Sequence, residues 1–474
     1  MFEDDNEENY QNNIDQTIAK YEDMIVRKQP AFFDIHDLED PIEYYELRLD
    51  TAKAIEVVDY ALDVYPFSAA LLTKKASFLM QKRKHKEALE LLDKAETLEP
   101  KDLGVYLLRA DIYLSKSEHN KSIEIIDAAM KFAEFNEMEE LWLEKADVYE
   151  DIGAYDKVYE CLKKCLMYNA SNVEALSRMW YSVELANAFE DSVQFHKQLI
   201  DEMPYSYLAW HNLGSAYYFL GLYERSIEAY EYALAINENY DLAYRECGDA
   251  YFKLKQYHKA IDNYKKAIEI SKPYEELHYA IGLCYEKLKD YPKARLHYRK
   301  AINSDPKFHQ AFYRIGLTYK RDKQWENAAL FYHKALQLDH DKLSYILAIA
   351  EAASKLGDQQ MLQEMIIHLQ GLNPQLRSKK TYKQLTTHAI QTSCYELALD
   401  IIGMARIENK VFDDMAYYEA VATYLAGMHK EAISLFEVAI RLNFNNFKMV
   451  PKFIPGITRD NSVIQLLDIY QQDQ

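Results

Sequence analysis

The side chains of this 474-residue chain best suited to nucleophilic or metal chemistry are five cysteines and fourteen histidines. Cys161 and Cys165 stand one helical turn apart, a spacing at which two thiolates can share a metal. No second cysteine pair and no nearby histidine completes a four-ligand set, so both read as small apolar core residues. Cys247 and Cys284 fall among apolar, helix-spaced neighbours, and the histidines follow no ligand spacing. There is no GxGxxG or Walker loop, no HExxH and no GxSxG. The sequence therefore predicts a chain that is not an enzyme, with no catalytic residues, no metal and no cofactor.

Composition bounds the elements that remain. Glycine occurs 12 times and proline 11 times, too few turn formers for a sandwich, barrel or doubly wound sheet of this length. Tyrosine occurs 40 times and hydrophobic residues make up 49%, enough to bury a large core. An all-α class is expected. No apolar run reaches the ~18 residues of a membrane span. The acidic start Met1-Phe2-Glu3-Asp4-Asp5 is unlike a secretory leader, and an odd cysteine count is no disulfide framework. A cytoplasmic setting is the expectation. Formal net charge is −20, unevenly spread. Residues 1–66 carry 18 acidic and 5 basic side chains, whereas residues 241–342 carry 14 and 20. The overall sign argues against nucleic acid or an anionic membrane as partner.

Self-similarity organises almost everything else. Trp210-x2-Leu213-Gly214-x2-Tyr217 recurs without a gap as Tyr244-x2-Cys247-Gly248-x2-Tyr251, His278-x2-Ile281-Gly282-x2-Tyr285 and Phe312-x2-Ile315-Gly316-x2-Tyr319, at 34-residue spacing. Each copy is followed in phase by a small residue, a tyrosine and an alanine, such as Ala260, Tyr264 and Ala267. The pattern resembles the tetratricopeptide repeat (TPR), a 34-residue helix–turn–helix unit. Extending the register gives starts at 35, 69, 103, 139, 173, 207, 241, 275, 309, 343, 379 and 413. The resemblance covers residues 35–446 and implies a right-handed solenoid of about twelve repeats. Residues 1–34 then form an acidic tail and capping helix, and residues 447–474 a capping segment ending in a helix.

Within this register alanine holds position 27 in nine of twelve units, and position 20 is alanine in seven and serine in three. Small side chains there let the first (A) and second (B) helices of a unit approach closely. Gly153, Gly221, Gly357 and Gly427 occupy position 15, the A-to-B turn, where a left-handed backbone is expected. Pro41 breaks the first A helix in this reading. At the N-terminus Ile14, Ile18, Tyr21 and Ile25 recur at helical spacing, as a cap would.

The resemblance implies where function lies. In TPR proteins positions 2, 5, 9, 12 and 13 of the A helices line a concave face that takes peptide or helical segments of partners. In the central repeats these positions include His211, Tyr218, Arg245, Asp249, Phe252, Lys253, Tyr279, Lys287, Tyr313, Lys320 and Arg321. Position 13 is cationic in four successive units, Lys253, Lys287, Arg321 and Lys355. Aromatic anchors beside a row of cations suit an acidic or amphipathic peptide. Tyr218, Tyr279 and Tyr313 are the tyrosines that repeat packing leaves unclaimed in this reading. The carboxylate clamp of TPR co-chaperones is absent, since Asn212 is preceded by Ser177 and Tyr181 and followed by Leu242 and Glu246. The expected function is a scaffold or adaptor for a protein partner. The alternative is a regulatory TPR protein that senses a ligand or peptide by changing superhelix shape. The acidic arm, residues 1–34, could mask the basic middle repeats or serve only as a solubilising cap.

Overall fold

The computed structural model describes residues 16–26, 33–271 and 275–471. The acidic tail and part of its cap, residues 1–15 and 27–32, lie outside the described residues. Among those described there is no strand. The chain divides into two compact units, Met1–Glu238 and Asn239–Gln474.

The first unit is a run of antiparallel helix pairs. Its A helices are Ile35–Leu47, Ala69–Gln81, Leu103–Ser115, Met138–Ile152, Val173–Ala186 and Tyr207–Phe219. Their B partners are Thr51–Val64, His85–Leu98, His119–Ala129, Tyr155–Tyr168, Phe189–Glu202 and Tyr223–Ile236. Residues 16–26 are also helical. They bury Ile18, Tyr21 and Met24, while Ile25, expected on the apolar face, is exposed. The Tyr45 hydroxyl donates to Glu22 at 2.8 Å, and the Tyr21 ring meets Phe33 and Tyr60 edge-on.

The second unit repeats the plan. Its A helices are Asp241–Lys253, Glu275–Lys287, His309–Arg321, Leu343–Leu356, Lys379–Gln391 and Met415–Leu425. The B helices are Tyr257–Ile270, Tyr291–Ser304, Trp325–Leu338, Gln359–Gly371, Tyr395–Ile407 and His429–Leu442. Two 3-10 segments, Phe444–Lys452 and Ile457–Arg459, lead to a last helix, Asn461–Gln471. That helix buries Val463, and the Tyr470 hydroxyl donates to Glu437 on the preceding B helix.

The first A helix corrects the expectation at Pro41: Ile35–Leu47 is continuous through it. A proline inside a helix forfeits one backbone hydrogen bond and crowds the preceding turn. Here a complete capping box at Asp34 and Asp37 and burial of Leu38, Pro41, Ile42 and Tyr45 offset that cost.

Two close contacts recur in phase. In the four repeats with glycine at position 8, a tyrosine at position 24 lies against the bare Cα. A methyl group added to Gly214, Gly248, Gly282 or Gly316 would stand 2.5 to 2.6 Å from the ring of Tyr230, Tyr264, Tyr298 or Tyr332. Repeats with alanine at position 8 carry Leu, Ile or Phe at position 24, as in Ala76 with Leu92 and Ala420 with Phe436. The second contact stacks a position-19 cation on a position-11 tyrosine. Lys53 over Tyr45, Lys121 over Tyr113, Lys157 over Tyr149, Arg225 over Tyr217, Lys259 over Tyr251 and Lys293 over Tyr285 all lie within 6 Å of the ring centre. Tyr319 has Asn327 at position 19 and takes Arg295 of the preceding repeat instead, at 4.4 Å.

Every A-to-B turn passes through the left-handed region at position 15. Gly153, Gly221, Gly357 and Gly427 do so with φ between 70° and 89°. So do Leu49, Arg83, Ser117, Asn187, Lys255, Lys289, Lys323 and Ser393, with φ between 53° and 62°. Side chains with a Cβ are strained there by about 1 kcal/mol.

Two stability outcomes follow from these geometries. Gly248→Ala is expected to cost roughly 1–3 kcal/mol by overpacking Tyr264, and Gly248→Ala/Tyr264→Leu to recover part of that loss in thermal unfolding. If the double substitution is as unstable as the two single losses summed, the pairing is not the cause. Lys289→Gly, by contrast, is expected to raise stability by a few tenths to about 1 kcal/mol, and a fall in Tm would contradict it.

Candidate functional site

The A helices of the second unit place position 13 at or next to their C-terminal residue, so this side chain is the last to be covered by a neighbouring turn. Lys253, Lys287, Arg321 and Lys355 are all exposed. None has a carboxylate within ion-pairing distance among the described residues. Arg245 is exposed as well. Cations in the last helical turn also complement the helix dipole.

The inner positions are more heavily used by the fold than their polarity suggests. Position 5 lies over the position-24 ring of its own repeat. Tyr279 tilts against Tyr298 with 5.6 Å between centroids, Tyr313 against Tyr332 at 5.5 Å, and His211 against Tyr230 at 5.6 Å. Tyr279 also meets Phe308 at 5.2 Å, and Tyr313 meets Tyr345 at 4.6 Å. Tyr279 and Tyr313 are therefore half-buried packing elements, rather than tyrosines unclaimed by packing. His211, in the first unit, is fully buried and offers no surface to a partner. An imidazole is short enough to be covered completely where the longer phenol protrudes. Tyr218, also in the first unit, is half-buried edge-on to Phe219 and Tyr223.

Positions 9 and 12 receive the hydroxyls of the position-24 tyrosines. Tyr230 donates to Ser215 at 3.2 Å, Tyr264 to Asp249 at 2.6 Å and Tyr298 to Glu286 at 2.8 Å. Asp249 is thus a half-buried acceptor already engaged by the fold; burial raises its pKa against the opposing pull of the Tyr264 hydrogen bond. Glu286 joins two repeats, since Arg314 donates to it at 3.4 Å and to the Tyr279 hydroxyl at 3.2 Å. Lys320 is paired with Glu351 of the next repeat at 2.5 Å, so it too is partly neutralised. Phe252 is half-buried and edge-on to Tyr257 at 5.4 Å. Of the expected residues in this unit, Arg245, Lys253, Lys287 and Arg321 present charge freely, beside the half-buried Tyr279 and Tyr313.

Sequence reasoning passed over Glu351 and Arg314, which together with Glu286 at position 12 set the polarity between these cations. A 31-residue spacing between an A-helix cation and a carboxylate, as in Lys320 and Glu351, was the available signal. Burial pushes the Cys161, Cys165 and Cys284 thiols up to about 12, away from the reactive thiolate form. No group of three or more metal-binding side chains occurs among the described residues, and no described helix is long and apolar enough to cross a membrane.

The first unit holds a cluster of half-buried carboxyls instead. Burial, followed by repulsion from Asp111 and Asp147, pushes the Glu144 carboxyl up to about 8. Asp111 and Asp147 are also raised by burial, although Arg178 pairs with Asp147 and Glu150 at 2.6 Å. A raised carboxyl keeps its proton in the folded state after an unfolded chain has lost it. Its contribution is therefore whole below the ordinary glutamate pKa, about 4.3, and declines as pH rises through about 8. Glu144→Gln is accordingly expected to raise Tm more at about pH 9 than at about pH 5, and an equal change at both would refute the assignment.

Comparison with known proteins places these helix pairs. Family profiles described as TPR repeat or tetratricopeptide repeat match residues 48–102, 139–172, 207–240, 248–289, 275–308 and 311–344. Tetratricopeptide repeat protein 21B of Xenopus laevis is 37% identical over 60 residues, which is 13% of this chain and 5% of that relative's length. Among solved structures, MamA is 26% identical over 35% of this chain and 98% of its own, with a TM-score of 0.33. YrrB, described as a TPR protein with an unusual peptide-binding site, is 17% identical over 37% of this chain and 93% of its own, with a TM-score of 0.32. The C-terminal part of a TPR repeat-containing protein from Cytophaga hutchinsonii is 17% identical, covering 51% of this chain and 99% of its own, with a TM-score of 0.40. Matched in both units by profiles of the unit that its own helix pairs display, the chain is a tetratricopeptide repeat protein.

Proposed function

We propose that this chain is a non-catalytic scaffold or adaptor, and that the A-helix face of residues 241–355 binds an acidic or amphipathic segment of a protein partner. The observation that carries this reading is the run of exposed, unpaired cations Lys253, Lys287, Arg321 and Lys355 on successive A helices. Beside them Tyr279, held by Tyr298 and Phe308, offers a fixed aromatic edge, and Tyr313 lies against Tyr332 and Tyr345 as a second aromatic side chain. Held rings lose little conformational freedom on binding, and fixed cations steer an acidic chain toward them. The likeness to TPR proteins, one of them described as peptide-binding, supports the same class of partner.

Charge reversal at exposed positions tests this without disturbing the core. The triple substitution Lys253→Glu/Lys287→Glu/Arg321→Glu is expected to leave Tm nearly unchanged. It should deplete acidic partners in a crosslinking pull-down and weaken their binding roughly 10-fold or more, with a wild-type affinity that falls as salt is raised. Identical partner sets for wild type and variant would overturn the assignment of this face.

A further inference from the structure

The four position-24 tyrosines differ in one respect. Tyr230, Tyr264 and Tyr298 donate to Ser215, Asp249 and Glu286. Tyr332 is as deeply buried, yet its hydroxyl has no hydrogen-bond partner. The cause is local sequence. Position 9 of its repeat is Leu317, and position 12 is Lys320, which is a donor and is already engaged with Glu351. The preceding repeat also has a leucine at position 9, Leu283, but there Glu286 at position 12 supplies the acceptor. A buried hydroxyl without a partner is unfavourable, and phenylalanine would fit the same place against Gly316 without that cost.

The unpaired hydroxyl belongs to the binding face proposed above. Its ring packs under Tyr313, and Arg321 and Glu351 are among the charges that act on it. The three sibling hydroxyls all end on A-helix side chains of positions 9 and 12, so this one reaches the same level of the face. A donor with no acceptor, within the electrostatic reach of the unpaired guanidinium of Arg321, is complementary to one chemical group, a carboxylate brought from outside.

Building on the proposed function, we infer that Tyr332 and Arg321 form an anchor for a single carboxylate of the bound acidic segment. The Tyr313 ring moves aside to admit it. The carboxylate accepts from the Tyr332 hydroxyl and pairs with Arg321, while the segment's apolar side chains lie on Tyr279 and Tyr313. This makes one acidic residue of the partner more important than the rest. Binding then completes a hydrogen bond that the fold leaves open.

The test uses the full chain and a fluorescein-labelled peptide with the sequence of residues 1–15, which holds six carboxylates and no cation. The comparison peptide has every Asp and Glu replaced by its amide. Tyr332→Phe is expected to leave Tm unchanged or raise it, yet weaken binding of the acidic peptide on the order of 10-fold. Tyr298→Phe removes the same atom from a hydroxyl that has a partner. It should lower Tm, because it strips a hydrogen bond from Glu286, and should weaken the peptide less than Tyr332→Phe does. Tyr332→Phe that lowers Tm and binds like wild type would overturn the anchor, as would equal weakening by both variants. If Arg321→Glu abolishes binding while Tyr332→Phe does not, the anchor fails and the face remains. If the acidic and amide peptides bind wild type alike, the face itself is wrong.

Discussion

A helix pair of 34 residues has too little interior to bury its own apolar stripe, so its stability rests on how closely its two helices and the next one approach. In the four central repeats the closest approach is the ring of a position-24 tyrosine on a bare glycine Cα. The ring occupies the volume that a position-8 side chain would take, and its length carries the hydroxyl through to the far side of the A helix. Repeats without glycine at position 8 use shorter side chains at position 24, apolar in all but His196, which end inside the core. One packing choice thus decides whether a repeat brings a tyrosine hydroxyl to the level of A-helix positions 9 and 12.

That coupling explains the polar pattern of the face. Ser215, Asp249 and Glu286 accept from tyrosines that reach them from behind. Their polarity serves the interior, although they sit at positions a family comparison assigns to ligand. Position 5 is constrained from the same side, since His211, Tyr279 and Tyr313 each lie on the ring below. For the proposed binding face, what remains is position 13 together with Tyr279 and Tyr313.

The repeat frame was legible in the sequence because its signals are local and periodic: small residues at positions 20 and 27, tyrosine at 11, glycine or proline at turns. The left-handed turn could be read where glycine marked it, as at Gly221, but not where Lys255 or Leu49 adopts the same conformation. There the geometry of the helix pair overrides residue preference at a cost of about 1 kcal/mol. Pro41 misled for a related reason, as capping and burial outweigh its local penalty. His211 misled because exposure was inferred from position alone. Whether a side chain at position 5 emerges depends on its length relative to the ring beneath it.

The cations at position 13 answer to two demands that do not conflict. Each lies in the last turn of its A helix, where positive charge offsets the partial negative charge of unsatisfied carbonyls. That stabilisation needs no specific side-chain partner, so it leaves the charges outward and unpaired. An ion pair such as Lys320 with Glu351 uses its cation up in holding two repeats together. A cation held only by a helix terminus stays available to an incoming carboxylate. The fold can therefore keep such a row for its own stability and still leave it open to a partner, since among the described residues no carboxylate lies within ion-pairing distance of it.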